Sequence, residues 1–437
     1  MLNFENKLIH NNILIYGFGK SGKACFGYLK KNNHIKIYDD NLSSIPKNLK
    51  SYIATKRNLD NYDFNIIILS PGIDINNCGI KSYLMKNSQR VISELDIFYL
   101  NNPNNFKITI TGTNGKSTTS KLIYEVLKKH GKDVRLVGNI GNPLLLEKKI
   151  NNNTIFVIEA SSYQIEYSKY FKTNFSVILN IAPDHLERHK SIKKYVQSKF
   201  KLINNQSKKD FAFIEKNNFY FEKELKRNKI FSKVYKVNSK IEKKYLKKIK
   251  NSYFETINNK KNLKFVIEIS KKLKLNINKV FSAVNNFKGL NYRQQIIYKN
   301  KKLMIINDSK STSFSSSKNL LQSYKNIYWI VGGLAKKGDV FRLNKKYYKN
   351  IIAYVYGKNK NFFLDNFRNK INSKKFKNLK KAVNQIILDA KNHNSYPKNI
   401  IFSPSAASFD QFENFEKRGQ YFNNLIKKNK IIKKLNV

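Results

Sequence analysis

The sequence is short of several residue types, and each shortage narrows the kind of protein it encodes. Its 437 residues include two cysteines, Cys25 and Cys78, so neither a disulfide framework nor a cysteine-rich metal site is available. This cysteine usage favours a reducing compartment. No run approaches the roughly 18 apolar residues that a membrane-spanning helix needs. The amino terminus also lacks the basic start, apolar stretch and cleavage site of a secretory signal, so we expect a protein of the bacterial cytoplasm.

Acidic residues and arginine are scarce as well. Asp and Glu number 29 against 84 Lys and Arg, which gives a formal net charge of +55, and nine of the 84 are Arg. Such an excess would normally indicate nucleic acid or an anionic surface as partner. The lysines are spread along the chain among Asn and Ile, and Arg is the side chain that reads base edges best. We therefore expect a solvated lysine surface without specific nucleic-acid or membrane binding, and keep a basic RNA-binding protein as an alternative.

Apolar residues are plentiful, at 41% of the chain, and the length predicts roughly two to four domains. Short apolar runs that end in Gly, Asp, Asn or Ser alternate with longer helix-like stretches, which is typical of parallel sheets in an α/β fold. The lysine- and asparagine-rich stretch from about 205 to 262 predicts no clear elements. Strands are predicted at 12–16, 34–38, 65–69, 106–110, 154–158, 176–179, 302–306, 327–331, 350–356 and 399–402, in three sections that cover 1–94, 95–291 and 292–437.

The first predicted strand is followed by GFGKSG, with glycines at positions 17, 19 and 22. This spacing after a strand, with Asp39 at the end of the next strand, fits a dinucleotide-binding fingerprint. The glycines indicate only that backbone approaches a ligand closely, often a phosphate at a helix N-terminus. Two interpretations stay open, an NAD-dependent dehydrogenase and a domain for another nucleotide-like ligand.

A second glycine loop, ITGTNGKSTTS, follows the predicted strand at 106–110. Gly115-Lys116-Ser117 matches the end of a phosphate-binding P-loop, although Ile110 stands where the first glycine of the general pattern would be. Backbone N–H groups and the helix dipole would hold the β- and γ-phosphates of a nucleotide. Lys116 would neutralise charge there, and the Ser117 hydroxyl would reach Mg²⁺.

Two further strand ends carry groups that suit a metal ion. Glu159 ends one predicted strand, and a carboxylate there is well placed to hold Mg²⁺ beside a P-loop. The stretch PDHLERH places Asp184, His185 and Arg188 after another. No second ligand cluster completes a zinc site, so magnesium with a neutral imidazole fits better.

The last third holds three more polar motifs after predicted strands. They are NDSKSTS at 307–313, GGLAKKGD at 332–339 and SPSAASFDQFENFEKRG at 403–419. The first two offer lysine and hydroxyl donors suited to carboxylate or phosphate. The third predicts a helix that begins near Ser408, and the spacing of Phe409, Phe412 and Phe415 favours core positions.

In content and in order, these motifs resemble the Mur ligase family over essentially the whole chain. TGTNGK alone would not separate the branches of this family or the folylpolyglutamate ligases. SPG at Ser70–Gly72 and the DQFENFEKRG run are similar to the branch that adds D-glutamate. The resemblance implies three domains: a Rossmann-like N-terminal domain for a UDP substrate, a central P-loop ATPase-like parallel-sheet domain, and a C-terminal Rossmann-like α/β domain for an amino acid.

The resemblance also implies an activity and its partners. The expected enzyme is an ATP-dependent ligase that adds D-glutamate to UDP-N-acetylmuramoyl-L-alanine (UDP-MurNAc-L-Ala) through an acyl phosphate, in peptidoglycan precursor synthesis. Its partners would be these small molecules, and we expect a monomer. Another Mur-type or folylpolyglutamate-type amide ligase remains the nearest alternative.

Site residues follow from the same resemblance. The implied catalytic residues are Lys116, His185 and Lys199. ATP would be bound by Gly112, Thr113, Asn114, Gly115, Lys116, Ser117, Thr118, Asn259, Asn262, Arg293 and Asp308. The UDP substrate would be bound by Lys20, Ser21, Asp39, Ser70, Pro71, Gly72 and Asn139, and D-glutamate by Lys310, Thr312, Lys336, Ser408 and Phe415. Two Mg²⁺ ions would be held by Ser117, Glu159, His185 and Lys199, the last carbamylated by CO₂.

The sequence departs from the family pattern in three places. The Gly-x-His-Asn-x-x-Asn motif that meets adenine is reduced to Asn258-Asn259-Lys-Lys-Asn262. Tyr292 precedes Arg293 where histidine is common, and the interval from His185 to Lys199 is one residue short. The first two departures bear on the adenine contacts, and the third bears on the lysine assignment.

Overall fold

The described residues form sixteen β-strands in three separate sheets, and ten of these strands form where the apolar runs predict them. The computed structural model describes residues 8–238, 240–392 and 397–429. Each of the ten predicted strands is present, with both ends within one residue of the expected position. The α/β fold class is therefore confirmed.

The first sheet has four parallel strands in the order β2-β1-β3-β4. The strands are β1 (Asn12–Tyr16), β2 (His34–Tyr38), β3 (Ile66–Leu69) and β4 (Val91–Ile92), and the helices of this section are α1 (Lys20–Leu29), α2 (Lys81–Lys86) and α3 (Glu94–Asn101). The turns that follow β1 and β3 open at the same edge of the sheet, because the strands are parallel.

The second sheet has six parallel strands in the order β10-β9-β8-β5-β7-β6. Its strands are β5 (Lys107–Thr111), β6 (Val134–Gly138), β7 (Ile155–Glu159), β8 (Phe175–Ile178), β9 (Phe211–Glu215) and β10 (Lys233–Val237). Its helices are α4 (Lys116–Lys129), α5 (Ser162–Glu166), α6 (Leu186–His189), α7 (Ile192–Asn204) and α8 (Phe219–Arg227). The stretch from 205 to 262, which predicted no elements, thus supplies two strands of this sheet. Central β5 lies between β7 and β8, so the groups that follow these three strands converge.

The third sheet has the order β11-β12-β16-β13-β14-β15, parallel except for β11 at one edge. Its strands are β11 (Gln295–Lys299), β12 (Leu303–Asn307), β13 (Ile327–Gly332), β14 (Ile351–Tyr356), β15 (Asn372–Lys375) and β16 (Lys398–Phe402). The remaining helices are α9 (Lys243–Leu246), α10 (Ile257–Lys272), α11 (Ile277–Asn286), α12 (Phe314–Ser323), α13 (Lys360–Phe367), α14 (Leu379–Asn392) and α15 (Phe415–Lys428). The first two sheets belong to one compact unit and the third to another, and 240–263 groups with the third sheet. The limits 1–94, 95–291 and 292–437 stay predictions.

The helix expected near Ser408 begins later, so that prediction is wrong. Helix α15 starts at Phe415, and the Asn414 side chain caps it by accepting a hydrogen bond from the Lys417 N–H. Phe409 is 71% exposed, whereas Phe412 packs against the apolar cluster under the third sheet. The Asn414 cap, six residues after Ser408, therefore decides where this helix begins, and the spacing of the phenylalanines does not.

Apolar side chains cover the sheets and leave their carboxyl edges to polar groups. Strands β3 and β5, in the interior of the first and second sheets, are wholly buried. In the part of the chain that the structure describes, no helix combines the length and apolar character needed to cross a bilayer.

Candidate functional site

The phosphate loop, residues 112–117, lies between β5 and α4. Gly112 and Gly115 adopt left-handed backbone, with φ of 144° and 86°. Asn180, just after β8, braces the loop: its carbonyl and its side-chain oxygen accept the Thr113 and Asn114 N–H groups at 3.0 and 2.9 Å. Sequence reasoning missed Asn180 as a site residue, because its contribution depends on a contact across 66 positions.

The loop presents a basic, donor-rich surface. The Nζ of Lys116 donates to the carbonyls of Gly112 and Thr113, at 2.8 and 2.9 Å, and so lies over the loop. Helix α4 has Gly115 as its N-cap and no side-chain cap. Its first N–H groups and its dipole therefore favour an anion, as a bound phosphate would provide.

Two oxygen donors lie beside this loop. The Ser117 hydroxyl and Oε2 of Glu159 are buried, and neither has a hydrogen-bond partner among the described residues. Oε1 of Glu159 accepts a hydrogen bond from the Asn139 amide at 2.8 Å. Buried polar atoms without partners are costly, and hydroxyl and carboxylate oxygens are what Mg²⁺ prefers. The residues therefore fit a magnesium ion.

Lys199 extends from α7 to the base of the same loop. Its Nζ lies 3.2 Å from both the Thr111 hydroxyl and the Gly112 carbonyl, and 4.6 Å from the centre of the Tyr195 ring. Burial, together with the charge of Lys116, lowers the pKa of Lys199 well below its ordinary value. The amine is thus shifted toward its neutral, nucleophilic form.

His185 sits at the start of α6 in left-handed backbone, with φ of 55°. Its Nδ1 lies 2.8 Å from the Tyr163 hydroxyl, and its Nε2 lies 3.4 Å from a carboxylate oxygen of Asp184. Tyr163 stands on α5, which follows β7 and Glu159 directly. Both strand ends therefore contribute to the environment of one imidazole.

These groups form one cluster at the carboxyl edge of the second sheet. The charges of Lys116, Asp184 and Glu159 all act on Lys199. Within the described ranges, no group of three or more His, Cys, Asp and Glu side chains could hold a metal by itself. The Ser117 hydroxyl adds an oxygen donor to the Glu159 carboxylate in this cluster.

The glycine loop, residues 17–22, is braced by two of the residues predicted to bind the UDP substrate. The carboxylate of Asp39 accepts the Phe18 and Asn41 N–H groups at 2.7 and 2.8 Å. The Ser70 hydroxyl donates to the Gly17 carbonyl at 2.6 Å. The structure thus brings Asp39 and Ser70 to the loop that holds Lys20 and Ser21.

The Asn139 amide, also predicted to bind the UDP substrate, donates to Oε1 of Glu159 beside the phosphate loop at 2.8 Å. Glu94, which sequence reasoning did not assign, is buried at the start of α3. Burial raises the pKa of Glu94, and the nearby Ser21 side chain and Leu144 backbone oppose that rise. No local sequence pattern indicates that Glu94 lies near Ser21, because the two residues are far apart in the chain.

The unit that contains the third sheet holds the remaining predicted residues. The carboxylate of Asp308 accepts the Ser403 hydroxyl at 2.9 Å and the Gln294 N–H at 3.1 Å. Burial raises the pKa of Asp308 to about 7. The guanidinium of Arg293 lies 6.0 Å from the Phe415 ring, and the Nζ of Lys310 lies 4.0 Å from it. Arg293, Lys310 and Phe415 therefore come together.

The other predicted residues of this unit belong to several different segments. Asn259 and Asn262 are buried on α10, where the Asn259 amide donates to the Tyr253 carbonyl at 2.8 Å. Ser408 is buried, and its carbonyl accepts the Gln411 and Phe412 N–H groups. Lys336 lies in a turn closed by the Asp339 N–H, and Thr312 precedes the capping residue of α12. Their ligand roles stay predictions.

Arg418 is a buried residue of this unit to which the sequence assigned no role. It is 1% exposed. Its guanidinium donates to the carbonyls of Ser309 and Ala406 and to the Ser309 hydroxyl, at 2.7, 2.9 and 3.1 Å. Arg418 therefore ties the segment after β12 to the segment after β16.

Fold and site together define a class: a multidomain α/β enzyme that binds a nucleotide through a P-loop. Comparison with known proteins places the chain further. Residues 110–285 match the model of the Mur ligase middle domain. A UDP-N-acetylmuramoylalanine--D-glutamate ligase of Rickettsia prowazekii is 32% identical, over 95% of this chain and 97% of the relative. One of Francisella tularensis is 31% identical, over 97% of each chain. The chain belongs to the Mur ligase family.

Solved structures agree on the fold. The Thermotoga maritima MurF ligase in complex with ADP superposes with a TM-score of 0.58, over 98% of each chain at 14% identity. The UDP-N-acetylmuramate-alanine ligase MurC of the same organism gives 0.54, over 95% of this chain and 99% of that one at 17% identity. The expected enzyme class, an ATP-dependent amide-bond ligase that uses Mg²⁺, is confirmed by the family. This membership favours the ligase over the dehydrogenase and RNA-binding alternatives.

Proposed function

We propose that this enzyme joins D-glutamate to UDP-MurNAc-L-Ala at the expense of ATP, as a step of peptidoglycan precursor synthesis. Two relatives that carry this activity in their names, at 32% and 31% identity over nearly the whole chain, support the choice of substrates. The single structural observation that carries the proposal is the cluster of Lys116, Ser117 and Glu159, whose charge and open oxygen donors suit a nucleotide with its metal.

The chemistry follows from the poor reactivity of a carboxylate toward an amine. Transfer of the terminal phosphoryl group of ATP to the alanyl carboxylate gives an acyl phosphate, and the D-glutamate amine then attacks its carbonyl carbon and expels phosphate. Lys116 and the first N–H groups of α4 would neutralise charge on the transferred group. The protein mainly positions and neutralises the reactants, which is how phosphoryl transfer is usually accelerated.

Ser117 and Glu159 would hold one Mg²⁺, and His185 and a carbamylated Lys199 would hold the second. When bound, these ions would supply positive charge to the phosphate oxygens. Carbamylation requires a neutral amine, and burial lowers the pKa of Lys199 in the direction that favours this form. The carbamate would turn a buried base into an additional carboxylate-like ligand for the second ion.

Recognition of the other substrates would use residues outside the phosphate loop. Lys20, Ser21 and the turn at Ser70–Gly72 would contact the UDP substrate at the glycine loop. Lys310, next to Phe415, would meet a carboxylate of D-glutamate, whose two acidic groups need such donors. We place the enzyme in the bacterial cytoplasm as a monomer.

The test is phosphate release from ATP in the presence of UDP-MurNAc-L-Ala, with D-glutamate, L-glutamate, glycine or L-lysine as the amine. We expect release with D-glutamate, and negligible release with the other three. Release driven by another amino acid, and not by D-glutamate, would overturn the substrate assignment and leave the ligase class intact.

A further inference from the structure

The hydroxyl of Tyr167, just after α5, uses its full hydrogen-bonding capacity on two neighbouring segments. It donates to the Ile73 carbonyl at 3.0 Å and accepts the Ile75 N–H at 3.2 Å. It also accepts a hydrogen bond from Nη2 of Arg188 at 2.6 Å. A phenol offers one donor and two acceptor sites, and all three are occupied. The hydroxyl therefore holds residues 73–75 as an adjacent strand would.

Residues 73–75 directly follow the turn predicted to bind the UDP substrate. The Ile73 N–H closes that turn on the Ser70 carbonyl at 3.0 Å. An added Cβ on Gly17 would stand 2.8 Å from the Ser70 side chain and 3.1 Å from that of Ile73, so the turn packs tightly against the glycine loop. Fixing residues 73–75 therefore fixes the turn as well.

Arg188 connects the Tyr167 hydroxyl to the catalytic cluster. It is buried, and its Nη2 also donates to a carboxylate oxygen of Glu166 at 3.0 Å. Its guanidinium carbon lies 5.0 Å from the centre of the Tyr163 ring and 5.4 Å from that of Tyr167. Arg188 shares helix α6 with the segment that begins at His185, and the Tyr163 hydroxyl contacts His185. One packed group thus touches both the UDP-substrate turn and the predicted metal residue.

We propose that Tyr167 and Arg188, the Tyr167 clasp, are positioning residues that set the distance between the UDP-substrate turn and His185. The inference rests on the proposed function, since it assigns the clasp to that substrate. A sugar nucleotide held at its diphosphate must present a carboxylate at the phosphate loop, and a displacement of about 1 Å costs on the order of 100-fold in rate. The clasp fixes this span from the protein side.

The decisive variant is Tyr167→Phe, which removes one oxygen atom and leaves the ring. Tyr354→Phe is the matched control, because its hydroxyl donates to Asp389 at 2.6 Å in the other compact unit. For Tyr167→Phe we expect kcat/KM for UDP-MurNAc-L-Ala to fall about 10- to 100-fold, mostly through KM, with an unchanged Kd for ATP. Tyr354→Phe should keep both values within about twofold of wild type.

Arg188→Lys is a second variant, because a lysine keeps the charge but cannot engage Tyr167, Glu166 and two rings together. We expect the same loss of kcat/KM. A purely structural role would lower ATP affinity and melting temperature without a selective rise in KM, and that pattern would overturn the proposal. Values of kcat/KM within twofold of wild type in both variants would overturn it too.

A binding measurement separates this inference from the proposed function. Calorimetry with UDP alone needs no turnover, and we expect Tyr167→Phe to weaken UDP binding by at least about fivefold, on the order of 1 kcal/mol. If wild-type enzyme bound UDP more tightly than Tyr167→Phe but released no phosphate with D-glutamate, the substrate assignment would be wrong. The positioning role of the clasp would still be supported. Equal UDP affinity in wild type and Tyr167→Phe would contradict the positioning role of the Tyr167 clasp and leave the proposed function intact.

Discussion

The amine of Lys199 lies 3.2 Å from the hydroxyl of Thr111, although 88 positions separate the two residues. This approach buries the amine against the base of the phosphate loop, where burial lowers its pKa. A lysine in such a place is poorly suited to remain a simple cation, and the carbamate we propose would resolve the conflict.

Carbamylation of Lys199 is open to direct measurement. Enzyme equilibrated with ¹³C-labelled bicarbonate should give a carbamate carbon resonance, which Lys199→Arg should lack. The arginine variant should lose about 100-fold or more in rate, because the metal loses a ligand. Lys194→Arg, at an exposed position of the same helix, is the control and should keep both signal and activity. A fully active Lys199→Arg enzyme would remove the carbamate from the mechanism.

Replacement of Lys116 by Met should abolish phosphoryl transfer. We expect phosphate release with all three substrates to fall about 1,000-fold or more, since the transferred group loses its charge partner. Lys121→Met lies further along α4, where Lys121 pairs with Glu125 at 3.4 Å on a partly exposed face, and should be near normal. Circular dichroism should show both variants folded. A near-normal rate for the Lys116 variant would contradict the site assignment.

Two glycines of α1 make a matched pair with opposite expected effects. An added Cβ at Gly22 would stand 2.0 Å from the Gly17 carbonyl oxygen, whereas one at Gly27 meets nothing within 4 Å. Gly22→Ala should therefore force the glycine loop open and lower the free energy of unfolding by about 2 kcal/mol or more. Gly27→Ala should raise it by about 0.5–1 kcal/mol, as expected in a helix interior. Urea unfolding measures both, and equal effects would show that the loop does not pack as described.

Asp308 should make the apo enzyme less stable as the pH rises. Its folded-state pKa is about 7 against an ordinary value of 3.8, so the folded state binds the proton more tightly than the unfolded state. The contribution of Asp308 to the free energy of unfolding is therefore fully present below about pH 4 and is lost as the pH rises through about 7. The Asp308→Asn side chain cannot titrate. Its free energy of unfolding, relative to that of wild type, should therefore rise by up to about 4 kcal/mol between about pH 4 and about pH 7. Unfolding free energies that run parallel from pH 4 to 8 would refute this.

Arg418 and Arg368 contrast a buried with an exposed arginine in the same unit. Arg418→Met removes donors from two buried carbonyls and should cost about 2–4 kcal/mol of unfolding free energy. Arg368→Met breaks a solvated pair with Asp365, whose side chain is 65% exposed, and should stay within about 0.5 kcal/mol of wild type. Chemical denaturation monitored through Trp329, which is buried in the third sheet, reports on this unit. Similar losses for both variants would contradict the role given to Arg418.

The strands could be predicted because apolar runs bounded by Gly, Asp, Asn or Ser are a local signal. Strand β15 carries no such signal, since all of its residues, Asn372–Lys375, are exposed. Strand β10 is also largely exposed, at the edge of the second sheet. Such strands are defined by pairing with a neighbour, which the sequence of one segment does not contain.

The residues of the candidate site also fall into two groups, those with a local sequence signal and those without one. The residues of the phosphate loop could be identified because glycine, lysine and serine at fixed spacing have a local mechanical meaning. Asn180, Tyr167 and Arg418 could not, because each acts on backbone groups far away in the sequence. The position of the α15 start was also missed, since Ser408 and Asn414 are both of residue types that cap helices, and the cap forms at Asn414.

The left-handed backbone of His185 has a consequence for how this enzyme is constrained. Glycine would occupy that conformation without steric penalty, whereas a side chain there costs about 1–2 kcal/mol. We propose that the chain retains this strained residue because the His185 imidazole takes part in the reaction. A His185→Gly protein should consequently have a higher melting temperature and a lower ligase rate than wild type. Engineering of this fold for thermal stability should therefore keep histidine at position 185.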